Sequence, residues 1–241
     1  MTSNIGKNVK YSILTILKKI RNKAFRILNG QYATLSYSQE GEDLILKRIF
    51  EGKFEGFYVD VGAHHPFRFS NTYLFYKKGW TGINIEPNPE VVANFKSGRP
   101  NDINLQIGVS EENGVLQYHY FDEPALNTFD VDVVKERLAT TPYKVVKMEN
   151  ISVLRLDEIL SKNLPVGQVI DFLSIDVEGL DFMVLKSNDW DKYRPTCVLV
   201  EVLNSTLEDV INGEIYIFMK NNSYSLFSRT YNTLIFRDHK K

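Results

Sequence analysis

The chain has little of several things that would assign it quickly. It has one cysteine in 241 residues, Cys197, inside the apolar run Cys197-Val198-Leu199-Val200. That excludes an internal disulfide framework and reads as a small core residue on a buried strand, suited to a reducing compartment. No stretch approaches the ~18 apolar residues needed to span a bilayer. Lysines also interrupt Ile13-Leu14-Thr15-Ile16-Leu17 too soon for a signal-peptide core, so the expected location is cytoplasmic. The formal net charge of −1 provides no global basic field for nucleic acid. There is no G-x-x-x-x-G-K-[ST] loop, no G-x-G-x-x-G, no internal repeat and no low-complexity tract.

The hydrophobic fraction of 43% is that of an ordinary globular chain. Charge is unevenly placed along it. Residues 1–39 hold no Asp or Glu but seven basic residues, from Lys7 to Arg26. The spacing of Ile13, Ile16, Leu17, Ile20, Ala24, Ile27 and Leu28 predicts a basic amphipathic helix over 7–28, within an extension of residues 1–35. Such a helix either packs on protein, as in a dimer, or lies on the anionic inner face of a membrane.

A second helix is expected from Gln39 to Phe50, capped by Ser38. From Gly56 the pattern alternates. Strands are expected at 57–61, 82–85 and 103–109, with helices at 71–78 and 89–97 between them. Residues 111–155 break the rhythm with two further strands and a helix, and read as an inserted lid. Strands at 170–175 and 198–202, a helix over 207–220 and a terminal hairpin complete the domain of residues 36–241. This is the signature of an α/β fold with a mostly parallel sheet and an antiparallel end.

Open parallel sheets bind ligands beyond the carboxyl ends of their strands. The first strand ends in Asp60-Val61-Gly62-Ala63 and the second in Ile85-Glu86-Pro87-Asn88. Glycine permits close backbone approach, and a strand-ending carboxylate can accept from both hydroxyls of a ribose. With His64 where a second glycine would stand, the loop suits a nucleoside without phosphates. S-adenosylmethionine, whose sulfonium and ammonium suit Asp60, is the common one. The plain alternatives are a tight turn at Gly62 and a helix cap at Glu86.

Tyr58-Val59-Asp60-Val61-Gly62-Ala63, Asn71-Thr72, Gly79-Trp80-Thr81-Gly82, Ile85-Glu86-Pro87, Ser174-Ile175-Asp176-Val177-Glu178-Gly179 and Val200-Glu201-Val202 together resemble the FkbM family of methyltransferases. Ser38-Gln39-Glu40-Gly41-Glu42-Asp43 resembles the family's N-terminal element. The resemblance implies a class I methyltransferase (Rossmann-like) fold with a seven-stranded sheet, S-adenosylmethionine as methyl donor, and a hydroxyl acceptor, often on a sugar or glycoconjugate. It further implies that Asp60, Gly62, Ala63 and His64 line the methionine end and that Glu86 holds the ribose. Gly108 and Val109 would flank the adenine, and Gln39 and Thr72 would bind the amino-acid moiety. His64-His65-Pro66 departs from the small-residue turn of many members and narrows the match to a subgroup.

A sugar hydroxyl needs a base or a metal before it attacks a methyl group. Asp176 and Glu178 are candidates as base, metal ligands or clamps on hydroxyls, and Asp176 is the first choice near the transferring methyl. His64 and His65 are further bases. Glu201 with Asp176 and His64 could surround a divalent ion, though the spacing demands none. Asn127, Thr128, Phe129, Tyr143 and Lys144 in the lid offer acceptor hydrogen bonds, a stacking surface and a charge, and Arg68, Lys144 and Arg229 could recognise a phosphate. N-methylation, a small phosphorylated acceptor, or a non-catalytic binding module are the competing readings.

Overall fold

The computed structural model describes residues 19, 20, 23, 24, 30 and 32–240. The chain divides into two compact units, Met1–Ser36 and Tyr37–Lys241. In the first, Lys19, Ile20, Lys23 and Ala24 are helical, and the rest of the expected basic helix lies outside the described residues. Among the described residues no helix is long and apolar enough to cross a membrane.

The second unit is built on a seven-stranded sheet. Strands β1 (Phe57–Val61), β2 (Thr81–Glu86) and β3 (Ile103–Gln106) run outward in one direction. The chain then crosses to the other side of β1 and lays down β7 (Phe172–Ile175) and β8 (Cys197–Glu201), all five being parallel. The hairpin of β9 (Tyr224–Arg229) and β10 (Thr233–Asp238) closes that edge, with β10 antiparallel between β8 and β9. The order is therefore β3-β2-β1-β7-β8-β10-β9. Its direction reverses between β1 and β7, and that reversal opens a crevice at the strands' carboxyl ends.

Both faces of the sheet are covered, so β1 is buried at all five positions. Alternation divides its side chains. Phe57, Val59 and Val61 enter the larger apolar core with Ile83, Ile85, Leu173 and Val198. Tyr58 enters the other with Phe75, Trp80, Phe172 and Cys197, whose thiol burial pushes up to about 12. Helix α1 (Glu42–Ile49) delivers Leu46 to that second core. There Phe75 packs on Trp80 and Phe172 with ring centroids 4.8 and 5.0 Å apart.

Several expected elements shift for local reasons. Helix α1 begins at Glu42 because Gly41 takes a left-handed φ of 91°. Ser38 is not its cap, although the Asp43 amide donates to the Ser38 hydroxyl at 3.3 Å. The helix expected at 71–78 shrinks to α2, Tyr73–Tyr76. Helix α3 (Pro89–Gly98) matches its expectation, with Pro89 at its start and the Asn88 side chain accepting from the Glu90 amide. The expected strand over 103–109 is two strands. β3 ends at Gln106, and Gly108–Val109 forms β4 in a separate three-stranded sheet with β5 (Gly114–Phe121) and β6 (Val145–Leu154). Between β5 and β6 lies α4 (Val131–Thr140), capped by Asp130. Helix α5 (Leu156–Asn163) follows β6. A helix not anticipated, α6 (Asp181–Lys186), follows β7. Gly213, with ψ 154°, divides the last helical stretch into α7 (Leu207–Asn212) and α8 (Glu214–Asn221).

Candidate active site

The crevice at the strand-order reversal is a cleft with about 800 Å³ of open space. Its floor is Asp60, Gly62 and Ala63 from the end of β1, Glu86 from β2, and Ser174, Asp176, Val177 and Glu178 from β7 and its loop. Its roof comes from the inserted segment, with Tyr118, Pro124, Ala125, Asn127 and Phe129. Gln39, His64, Phe69, Asn71, Pro87 and Val91 complete the lining, which among the described residues contains neither lysine nor arginine.

Gly62 is required by contact as well as by its φ of 77°. A Cβ there would stand 1.7 Å from the Asp176 carbonyl oxygen, so the two strand-end loops meet only because the side chain is absent.

Asp60 is buried, and burial raises its carboxyl above the usual range while Arg99 opposes that shift. The link to Arg99 runs through Thr72. The Thr72 hydroxyl donates to Asp60 Oδ2 at 2.9 Å and accepts from Arg99 Nη1 at 2.9 Å. The fully buried Arg99 also donates to Asp102 Oδ2 (2.9 Å) and the Tyr58 hydroxyl (2.7 Å). This network ties β1, α2 and the α3–β3 connection together beneath the cleft. It answers each buried polar group with a partner, which keeps the cost of burying them low.

Glu86 is 5% exposed, and burial pushes its carboxyl up to about 7. Its Oε2 accepts from the His64 amide (3.1 Å) and its Oε1 from the Asn88 amide (2.9 Å). These contacts hold both oxygens at the rim, each with a second lone pair able to accept a hydroxyl. His64 has φ 50°, and its Nε2 is buried without a hydrogen-bond partner. Burial, followed by His65 and Arg68, lowers its pKa, so its ring is neutral at pH 7.

Asp176 concentrates the charge of the site. Its carboxyl is raised well above the ordinary value by burial, then by Glu201 and Glu178, and its Oδ1 is buried without a partner. Glu178 has φ 58° and is ion-paired with Arg137 of α4. Its carbonyl accepts from the Thr128 hydroxyl at 2.9 Å. Asp181 accepts from the amides of Val177 and Gly179 and so holds this loop; burial pushes its carboxyl up to about 7. Asp176, Glu178 and Glu201 offer oxygens all within 4.8 Å of one another, a set of a kind that can hold a hard divalent cation. Glu178, rather than the expected His64, completes that group.

Of the residues singled out in the sequence, Gln39, Asp60, Gly62, Ala63, His64, Glu86, Asn127, Asp176 and Glu178 line the cleft. Glu201 lines a chamber beside it. Others stand elsewhere. Thr72 is fully buried beneath Asp60. His65 accepts the Phe67 and Arg68 amides at Nδ1, each at 3.0 Å, and shapes the turn instead of lining the cleft. Gly108 and Val109 back the inserted sheet, where a Cβ on Gly108 would lie 2.7 Å from the Phe129 ring, and it is Phe129 that faces the cleft. Thr128 is 1% exposed. Arg68 lies over the Phe69 ring, and Tyr143 and Lys144 are at the surface. Arg229 donates to the carbonyls of Ser205 and Tyr231. Phe129, expected as a stacking surface of the lid, lines the cleft, whereas sequence reasoning missed Tyr118, Phe69 and the Arg99 network. Only Asn71, through its place in a quoted motif, carried a signal.

The lining fits a cationic nucleoside. It combines carboxylates with aromatic and apolar surface, and among the described residues it contains no lysine or arginine for a pyrophosphate. Comparison with known proteins agrees. Residues 60–226 match the Methyltransferase FkbM domain. No curated protein and no solved structure matches. The matched segment is well over half of the chain and contains every strand end of the cleft, so the chain belongs to the FkbM family of methyltransferases and is a methyltransferase.

Proposed function

We propose that the protein transfers the methyl group of S-adenosylmethionine to a hydroxyl of a sugar or glycoconjugate. The observation that carries this reading is the cleft at the strand-order reversal, which combines Glu86 at the end of β2 with Asp60 and Asp176 and, among the described residues, has no lysine or arginine in its lining. Glu86 would hold the ribose hydroxyls, Phe129, Tyr118 and Val91 the base, and Asp60 with Gln39 and Asn71 the amino-acid end. S-adenosylmethionine supplies an electrophilic methyl carbon on a positively charged sulfur. The protein's part is alignment, which can lower a barrier by ~7–11 kcal/mol, and removal of the hydroxyl proton. Asp176 is the proton acceptor in this reading. The cationic donor bound beside it would favour its ionised form, which is a stronger base than an ordinary carboxylate because burial, Glu201 and Glu178 raise the carboxyl, and its Oδ1 has no hydrogen-bond partner. Neutral His64 is the second candidate. A phosphorylated acceptor is poorly matched, since among the described residues no lysine or arginine lines the cleft. The basic N-terminal segment would then serve as a peripheral membrane or subunit contact on the cytoplasmic side.

The test is transfer of tritiated methyl from S-adenosylmethionine to a panel of glycosides and polysaccharides, with the linkage read by NMR. An ether-linked methyl group is expected. Asp176→Asn should lower turnover by about 10²-fold or more while donor binding persists. Label recovered on nitrogen, or full turnover in the variant, would contradict the assignment.

A further inference from the structure

Beneath the cleft, the hydrogen bonds around Thr72 run in one direction. A hydroxyl has one proton to donate and two lone pairs to accept with, and a guanidinium only donates. The Ser70 hydroxyl accepts from the Tyr73 amide at 3.1 Å and from Arg99 Nη1 at 3.3 Å, which leaves its proton for the Thr72 hydroxyl at 3.1 Å. Thr72 thus accepts from Ser70 and, at 2.9 Å, from Arg99 Nη1. Its own proton is left for Asp60 Oδ2, 2.9 Å away. On the other side the Asn71 side-chain amide donates to the Ser174 hydroxyl at 3.0 Å, and Ser174 also hydrogen-bonds Asp60. Asp60 therefore receives hydrogen bonds from both neighbours and is held as an acceptor. The guanidinium that sets this direction is itself fixed by Asp102 and Tyr58, and Asp102 is fixed in turn by the Gly82 amide and the Asn84 side chain, at 3.0 Å each. Ser70, Thr72 and Arg99 are all buried, and none of them lines the cleft.

The direction matters because of what surrounds Asp60. Burial favours its protonated form, and so does the negative charge of Asp102 below it and of Glu86 and Asp176 at the cleft, while Arg99 opposes them. A carboxyl that turned its own O–H toward an ammonium would meet it donor to donor. Resting on the reading of the cleft as the S-adenosylmethionine site, we infer that Arg99 and Thr72 are positioning residues for the donor's amino-acid end: they hold Asp60 as an acceptor for the α-ammonium and so select nucleosides that carry that group. Neither touches the ligand. Their effect is confined to the part of the ligand that Asp60 meets, and the adenosine end, held by Glu86 and the roof, does not depend on them.

Calorimetry measures the binding of S-adenosylhomocysteine and of 5′-methylthioadenosine, which has the same adenosine but no amino-acid end, to full-length wild type, Thr72→Val, Thr72→Ala and Thr72→Ser. Thr72→Val keeps the shape and removes the hydroxyl. It should weaken S-adenosylhomocysteine by about tenfold or more and 5′-methylthioadenosine by less than about twofold. Thr72→Ser keeps the hydroxyl and should stay within about threefold of wild type for both ligands. Thr72→Ala should repeat the pattern of Thr72→Val, and replaces it if that variant does not fold. An equal loss for both ligands in a folded variant would make the network a staple of the fold, and no loss for either would leave it without a part in binding. Each result overturns the inference, as does a Thr72→Ser that selects no better than Thr72→Val. Wild type is titrated first. If it binds neither ligand, the cleft reading itself fails and the inference falls with it. If it binds both equally well, Asp60 gives nothing to the amino-acid end, and the inference falls alone.

Discussion

Glu201 shows what happens to one carboxylate at the end of a buried strand. Burial, then Glu178 and Asp181, push it up to about 8. A folded pKa above the ordinary value of 4.5 means that the folded chain holds this proton when the unfolded chain has lost it. Its contribution to stability is therefore complete below about pH 4.5 and is lost as pH rises through about 8. Without ligand, the protein should melt at progressively lower temperature between these limits. Glu86 and Asp181, both pushed up to about 7, act in the same direction. Glu201→Gln should flatten the decline by on the order of 1–3 kcal/mol, after allowance for its partial exposure. Melting curves at pH 5 and pH 8.5 check this, and parallel curves for variant and wild type would refute it. Arg99 illustrates the opposite arrangement. It is a fully buried charge whose carboxylate, phenol and hydroxyl partners are all in place, so it costs the fold little and sets Asp60 through Thr72.

At the scale of elements, the inserted sheet is joined to the β7 loop through α4. Arg137 on that helix pairs with Glu178 and donates to the Leu126 carbonyl at 2.6 Å, while Thr128 holds the Glu178 carbonyl. Gly179 lets the helix come close, since a Cβ there would lie 2.7 Å from Val133. Arg137→Ala should detach this corner. Amide hydrogen exchange across 126–140 should quicken by about tenfold or more, while β1 and β7 keep their protection. Unchanged exchange in that segment would show that packing alone seats the roof. The elements also show which sequence signals carry far. β1, β2, β7 and β8 announce themselves because strands covered on both faces read as short apolar runs. α3 does so through Asn88 and Pro89. The break at Ile107 left little mark, because Ile103, Leu105, Ile107 and Val109 keep one alternation across it and only tertiary pairing assigns the two halves to different sheets. Helix α6 is six residues long, too short for a periodic pattern.

For the molecule as a whole, the half of the site made by strand ends was more legible than the half made by the roof, of which Asn127 and Phe129 were legible and Tyr118 was not. Asp60, Gly62, Glu86 and Asp176 follow their strands directly, so finding the strand finds the residue. Tyr118 reaches the cleft from an insertion whose docking is decided by three-dimensional contacts, and in sequence it reads as one more aromatic. Thr72 and Gly108 were placed in the right region but one layer too close to the ligand, because spacing along the chain does not report depth. The account's central claim is that the crevice at the β1–β7 reversal binds S-adenosylmethionine, with Glu86 on its ribose. Calorimetric titration of wild type and Glu86→Ala measures this most directly. Saturable binding to wild type that weakens at least tenfold in a folded variant is the expected result. A well-folded wild type that does not bind, or a variant that binds equally well, would contradict it.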